Sequence, residues 1–219
     1  MTNRKLIFIS LIIAIVSSSC VNSKSNSIKN PSNKEVRIGT QIWSIENLNV
    51  DKFRNGDSIP QAISEKDWVS AGENKQPAWC YYDNNLNNGV KYGKLYNWYA
   101  VNDLRGLAPM GWHIPSETEW NTLTIYLGGN LCAGKKLKST IRWKNNGNGT
   151  NESGFSGLPG GYRDYHGTFG YITYSGIWWS SKEINEDRAE IIDLDFDDGV
   201  VYTGYDIKKD GLSVRCIRD

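Results

Sequence analysis

The densest run of ionisable groups in this sequence is Asp193-Leu194-Asp195-Phe196-Asp197-Asp198-Gly199. Read as a strand, its period of two puts Ile192, Leu194 and Phe196 on one face and Asp193, Asp195 and Asp197 on the other, with same-face neighbours about 6.5–7 Å apart. Carboxylates at that spacing could hold a cation, and the run starts like a calcium loop. An EF-hand, however, needs Gly where Asp198 stands and Glu at the twelfth position, which is Gly204. An EF-hand is excluded, and a solvated polar strand face ending in an Asp-Gly hairpin is expected. No cofactor or metal ligand is assigned, and structural calcium elsewhere stays open. The two histidines offer little more. His113 stands in Trp-His-Ile-Pro and His166 in Tyr-His-Gly, and neither has a Ser or Cys motif beside it to activate. Both read as structural or solvated, and the chain as a non-enzyme.

These groups must be positioned by short elements. Residues 36–43 alternate apolar and polar around Gly39, a hairpin signal. Residues 49–76 are polar and broken by Asn55-Gly56-Asp57 and Gly72, so they read as loop with a helical turn near 64–69. Residues 79–82 read as a buried strand. Tyr92, Leu95, Tyr96 and Tyr99 follow at helical spacing, which predicts a helix over 93–101. Ser116 and Glu119 form a capping box, Trp120, Leu123 and Leu127 make one apolar stripe, and Gly128-Gly129 ends that second helix. Residues 145–161 are Gly/Asn-rich loop anchored by Phe155 and Leu158. Segments 176–181, 191–196, 200–202 and 212–217 are of strand length with turns between them, predicting an antiparallel meander. Trp178 and Trp179 are adjacent in a strand, so they face opposite ways and at most one is free for a ligand.

The chain has 219 residues, 39% of them hydrophobic, enough for one domain with a real core. With 25 basic and 24 acidic residues it lacks the clustered basic excess of a nucleic-acid binder. Its 9 Trp, 12 Tyr and 22 Gly against 2 Met point to a β-rich, loop-rich extracytoplasmic domain. Arg4 and Lys5 precede an apolar run over 6–16 that is short for a membrane span and ends in serines. Residues 1–19 therefore read as a signal peptide. Cys20 follows Ser17-Ser18-Ser19 and resembles a bacterial lipobox cysteine, although Ser17 stands where an aliphatic residue is usual. Cys20 is the expected lipid attachment site, with ordinary signal cleavage nearby as the alternative. Residues 20–35 are then a Ser/Asn/Lys-rich tether and 36–219 the globular domain. The expected location is the envelope of a Gram-negative bacterium, as an outer-membrane lipoprotein facing either the periplasm or the exterior, with the membrane as a partner through the lipid.

Several motifs carry a family resemblance. They are Val36-Arg37-Ile38-Gly39-Thr40-Gln41-Ile42-Trp43, Tyr92-Gly93-Lys94-Leu95-Tyr96-Asn97-Trp98-Tyr99-Ala100-Val101, Gly111-Trp112-His113-Ile114-Pro115-Ser116, Leu158-Pro159-Gly160-Gly161-Tyr162-Arg163, Trp178-Trp179-Ser180-Ser181 and Ser213-Val214-Arg215-Cys216-Ile217-Arg218-Asp219. Over residues 36 to 219 the chain resembles the Fibrobacter succinogenes major paralogous domain family. That family is similar to C-type-lectin-like folds. The resemblance implies an α+β architecture: twisted antiparallel sheets, two flanking helices, long irregular loops, and both chain ends in one sheet. It shares that architecture with formylglycine-generating enzymes and with the variable binding proteins of diversity-generating retroelements. The former use paired reactive cysteines, and no equivalent pair is visible here, so that activity is a distant alternative.

By resemblance to the latter, the ligand face lies among outward residues of the late strands, where Asp195, Tyr202, Tyr205 and Asp206 are the candidates for binding a protein or glycan. A structural or adhesin-like subunit of an envelope assembly is the rival reading. Three cysteines follow Cys20, so at most one bridge can form among them. Cys80 and Cys216, in apolar strand-like contexts that resemble the family pattern, are the candidate pair, with two buried free thiols as the alternative.

Overall fold

In a computed structural model, residues 34–219 are described. The leader over 1–19, Cys20 and most of the tether lie outside the described residues. The chain begins with β1 (Glu35–Ile38) and β2 (Gln41–Ser44), an antiparallel hairpin turned at Gly39, whose φ of +62° suits glycine. A long loop leads to α1 (Glu65–Glu73), where Ser64 accepts from the Asp67 amide and Asp67 reaches back to the Ser64 amide. Then come β3 (Trp79–Cys80), α2 (Leu86–Tyr92), β4 (Leu95–Tyr96) and α3 (Trp98–Val101). β5 (Trp112–His113) precedes α4 (Glu117–Tyr126), which starts at the Ser116–Glu119 capping box and gives way to Gly128 and Gly129, both at positive φ. After α5 (Asn130–Leu137), β6 (Tyr162–Arg163) and β7 (Phe169–Gly170) form a small hairpin. The chain ends in β8 (Ser175–Glu183), β9 (Arg188–Asp195), β10 (Tyr202–Ile207) and β11 (Ile217–Arg218).

The result is a mixed α+β fold with several small antiparallel sheets and five α-helices among the described residues. The final strand β11 lies between β2 and β5, so the N-terminal hairpin and the chain end share one four-stranded sheet. β8, β9 and β10 form the expected meander, with β10 at its edge. No helix among the described residues is long and apolar enough to cross a membrane.

The meander divides the core. Trp179, Ile177 and Ala189 face a cluster with Trp79, Tyr96, Trp98 and Val214. Trp178, Ile192 and Leu194 face another with Trp43, Trp120 and Phe155, where Trp43 and Trp120 rings lie 4.7 Å apart. Trp178 and Trp179 do point to opposite faces, and both are 0% exposed, so neither is free for a ligand.

Several expected elements differ: five α-helices among the described residues stand where two were expected, the strand expected over 79–82 is only Trp79–Cys80, and the strand expected over 200–202 starts at Tyr202 and runs on to Ile207. The helix predicted over 93–101 is instead the end of α2, strand β4 and the one-turn α3. Gly93 ends α2 at φ +79°, and a Cβ there would stand 2.9 Å from the Leu48 carbonyl oxygen. Asn97 then starts α3 afresh by accepting from the Ala100 amide. The strand expected over 212–217 narrows to Ile217–Arg218. Upstream of it the chain threads between elements, pairing Leu212 with Tyr96, Ser213 with Trp178, and the Val214 carbonyl with the Leu48 amide.

A side chain sits at that crossing. Arg215 is fully buried and has no carboxylate partner within bonding reach in its set of acceptors: it donates to Asn47 Oδ1, the Ser44 carbonyl and the Phe155 carbonyl, and stacks on the Phe155 ring. Burial pulls its pKa down to about 9. Asn47 Oδ1 also accepts from the Trp178 indole, while its amide donates to the Tyr92 carbonyl and Ser213 Oγ. Asn47→Ala removes one of the three acceptors of a buried guanidinium and the acceptor of the buried Trp178 indole. Urea unfolding is expected to show a loss of about 3 kcal/mol or more with an unchanged m-value.

Candidate functional site

The late strands place the predicted residues at the exposed edge of the meander. In the β9–β10 ladder Tyr202 pairs with Asp193, Gly204 with Ile191, Tyr205 with Glu190 and Asp206 with Ala189. Paired residues share a face, so Asp193, Asp195, Tyr202 and Asp206 look to the Trp179 side, while Tyr205 looks to the Trp178 side with Glu190. Both tyrosines are open to solvent, Tyr202 at 47% and Tyr205 at 57% exposure. They therefore do not form one concave face, as a joint ligand patch would require. The Arg188 guanidinium lies 4.8 Å from the Tyr205 ring centre, and the Tyr202 hydroxyl donates to Asp198 at 2.6 Å. That hydrogen bond, with burial second, pushes the Tyr202 phenol up to about 12.

The connection that carries Asp198 is pinned from below. Lys138, almost fully buried, donates to the backbone carbonyls of Asp195 at 2.8 Å and Asp198 at 2.5 Å. Burial lowers its pKa, opposed by the charges of Asp198, Asp195 and Asp197.

The aspartate face is not the plainly solvated surface expected from its pattern. Asp193 is half-buried with Oδ1 unpartnered, and burial followed by the charges of Asp195 and Asp198 lifts it to about 7. Asp206 meets Asp210, a residue that sequence reasoning did not single out. Asp210 is only 5% exposed and has Oδ1 unpartnered; burial, then its hydrogen bond to Asp206, raises it to about 9. At that value Asp210 keeps its proton at neutral pH and donates it toward Asp206. Beside them Tyr162 stacks on the exposed Tyr171 at 5.5 Å, extending the aromatic surface onto the β6–β7 hairpin. Nothing in Lys208-Lys209-Asp210-Gly211 marked Asp210 as buried, because the run reads as an ordinary turn.

The other residues that the sequence singled out lie away from this edge. His113 bridges Glu119 and Asp219, each 2.7 Å away, tying β5 to the capping box of α4 and to the last residue. Burial lowers its pKa, but the hydrogen bonds to Asp219 and Glu119 outweigh that and raise it. Its contribution to stability is then full below the unfolded pKa and lost as pH rises through the folded one. His166 is exposed in a turn. Cys80 and Cys216, the candidate pair, are not bridged, and the alternative of two buried free thiols holds. Both are free, buried in different core clusters, and pushed up to about 12 by burial. Among the described residues no three His, Cys, Asp or Glu side chains are grouped to hold a metal ion.

The Asp210 carboxyl sets a pH dependence. Its pKa rises from 3.8 to about 9 on folding, so the native state keeps a proton that the unfolded chain releases. Stability falls as pH rises through that window. Asp210→Asn keeps an acceptor and gains a donor toward Asp206, and calorimetry is expected to show a higher Tm than wild type at pH 9, about 2–4 °C for each kcal/mol relieved, with little difference at pH 4.

No curated protein and no solved structure matches the chain. Residues 36–218 match the model of the Fibrobacter succinogenes major domain, which covers nearly all of the described chain, and the protein therefore belongs to that family.

Proposed function

We propose that this chain is a Gram-negative cell-envelope lipoprotein whose C-type-lectin-like domain binds a protein or glycan ligand along its late strands, without a catalytic role. The observation that carries the binding reading is the edge strand β10, where Tyr202 and Tyr205 stand exposed beside half-buried carboxylates. Exposed phenols on a fixed backbone give broad amphipathic contact at low entropy cost. The lectin-like reading is supported by the meeting of the N-terminal hairpin and C-terminal strand in one sheet, with long irregular connections elsewhere. The anchor reading rests on the charged, apolar and small-residue order before Cys20. A structural subunit is the second reading, supported by Ile125, Tyr126 and Leu131, which are exposed on α4 and α5.

Two experiments address these claims. Palmitate is expected to label the wild-type chain in cells and not Cys20→Ser; equal labelling contradicts the anchor. On glycan and envelope-protein arrays the purified domain is expected to give signals that Tyr202→Ala with Tyr205→Ala reduces at least tenfold. Signals unchanged by that pair remove β10 as the site.

A further inference from the structure

Tyr202 and Tyr205 are three residues apart on one strand and face opposite sides of the sheet. A ligand lying on either face would reach only one of them. A ligand lying along the edge, in the plane of the sheet, would pass both.

The edge of β10 is open to such a ligand over residues 202–205, while at its end the Ile207 amide is taken by Asp206 Oδ1, 2.9 Å away. Its sequence, Tyr202-Thr203-Gly204-Tyr205-Asp206-Ile207, carries neither proline nor lysine, and its register with β9 runs through six consecutive pairs without a bulge. These are the devices by which proteins ordinarily blunt a free edge. Residues 202–205 are all exposed. Gly204, between the tyrosines, leaves the Tyr202 face of the strand clear: a Cβ built there would meet only Ile191 Cγ1, at 3.9 Å.

Charge chooses the occupant. Asp193, Asp195 and Asp206 share the Tyr202 side, Asp197 and Asp198 stand in the connection before β10, and Asp210 adds a buried oxygen without a partner. Lys138, whose charge acts on Asp195, is spent on backbone carbonyls, and Arg188 lies against the Tyr205 ring on the other side of the sheet. A second copy of the chain would bring a second acidic face alongside the first, which like-charge pairing disfavours. A basic segment would neutralise it.

We propose that β10 accepts an extended polypeptide segment of a partner protein as a fourth strand of the meander, with lysine or arginine side chains alternating onto the Tyr202 side. This rests on the reading of β10 as the ligand face and names the class of its ligand. Main-chain hydrogen bonds supply affinity in such strand addition, and alternate side chains supply selectivity.

The test uses the full mature chain and three fluorescent decapeptides: alternating Lys-Val, alternating Glu-Val, and the Lys-Val peptide with every backbone amide N-methylated. Fluorescence polarisation is expected to show Lys-Val binding at least tenfold tighter than either of the others, and at least tenfold loss with Asp195→Asn plus Asp206→Asn. Equal binding of the N-methylated peptide overturns the proposal in favour of charge adhesion without a strand. Sedimentation showing a dimer that Gly204→Lys abolishes overturns it in favour of a second copy. Absence of Lys-Val binding overturns it outright; if array signals still depend on Tyr202 and Tyr205, the binding face itself stands, and if they do not, both readings fall.

Discussion

Buried cations that have backbone carbonyls for partners hold this loop-rich fold together. Long stretches of the chain are neither helix nor sheet, and their carbonyls must find donors once buried. Arg215 and Arg163 donate to carbonyls of Ser44, Phe155, Gly167 and Ala62; Lys138, Lys94 and Lys208 donate to those of Asp195, Asp198, Asn49 and Glu186. Each of these cations also lies near an aromatic ring, such as Lys94 at 4.3 Å from Trp79 and Lys208 at 4.7 Å from Trp98. A guanidinium offers five donors in a fixed fork, so one buried arginine can satisfy several loops at once. Its desolvation is costly, and removing one acceptor leaves that cost uncompensated.

The same device reaches the candidate site. Lys138 rises from the end of α5 and fixes the carbonyls of Asp195 and Asp198. Asp198 then orients the Tyr202 hydroxyl at the head of β10. On the other side of the aspartate face, Arg163 in β6 ties the 62–63 loop and the Gly167 turn together, while its strand bridges Gly211 next to Asp210. The acidic, tyrosine-bearing edge is therefore carried on irregular segments made rigid by buried charge.

Much of this architecture was legible from local patterns. The Gly39 hairpin and the Ser116–Glu119 capping box involve residues within a few positions of each other, and both formed as expected. The helix over 93–101 did not, because its aromatic spacing reflects burial from an extended strand and one helical turn, broken at Gly93 and restarted at Asn97. Arg215 and Lys138 were not legible at all, since a charged residue in a short strand or a helix end reads as solvated until distant carbonyls converge on it. At the site, Asp195, Tyr202, Tyr205 and Asp206 do gather on the late strands. Their division between two faces depends on register, and the burial of Asp210 depends on a contact with Asp206 that no spacing rule encodes.

The dependence of the edge on a buried cation is tested most directly by hydrogen exchange on Lys138→Met. The substitution keeps an unbranched side chain and removes the ammonium. Faster exchange confined to residues 196–201 and the head of β10, with β1 and β2 still protected, is the predicted result. Unchanged exchange over 196–201, or equal loss along the whole chain, would contradict it.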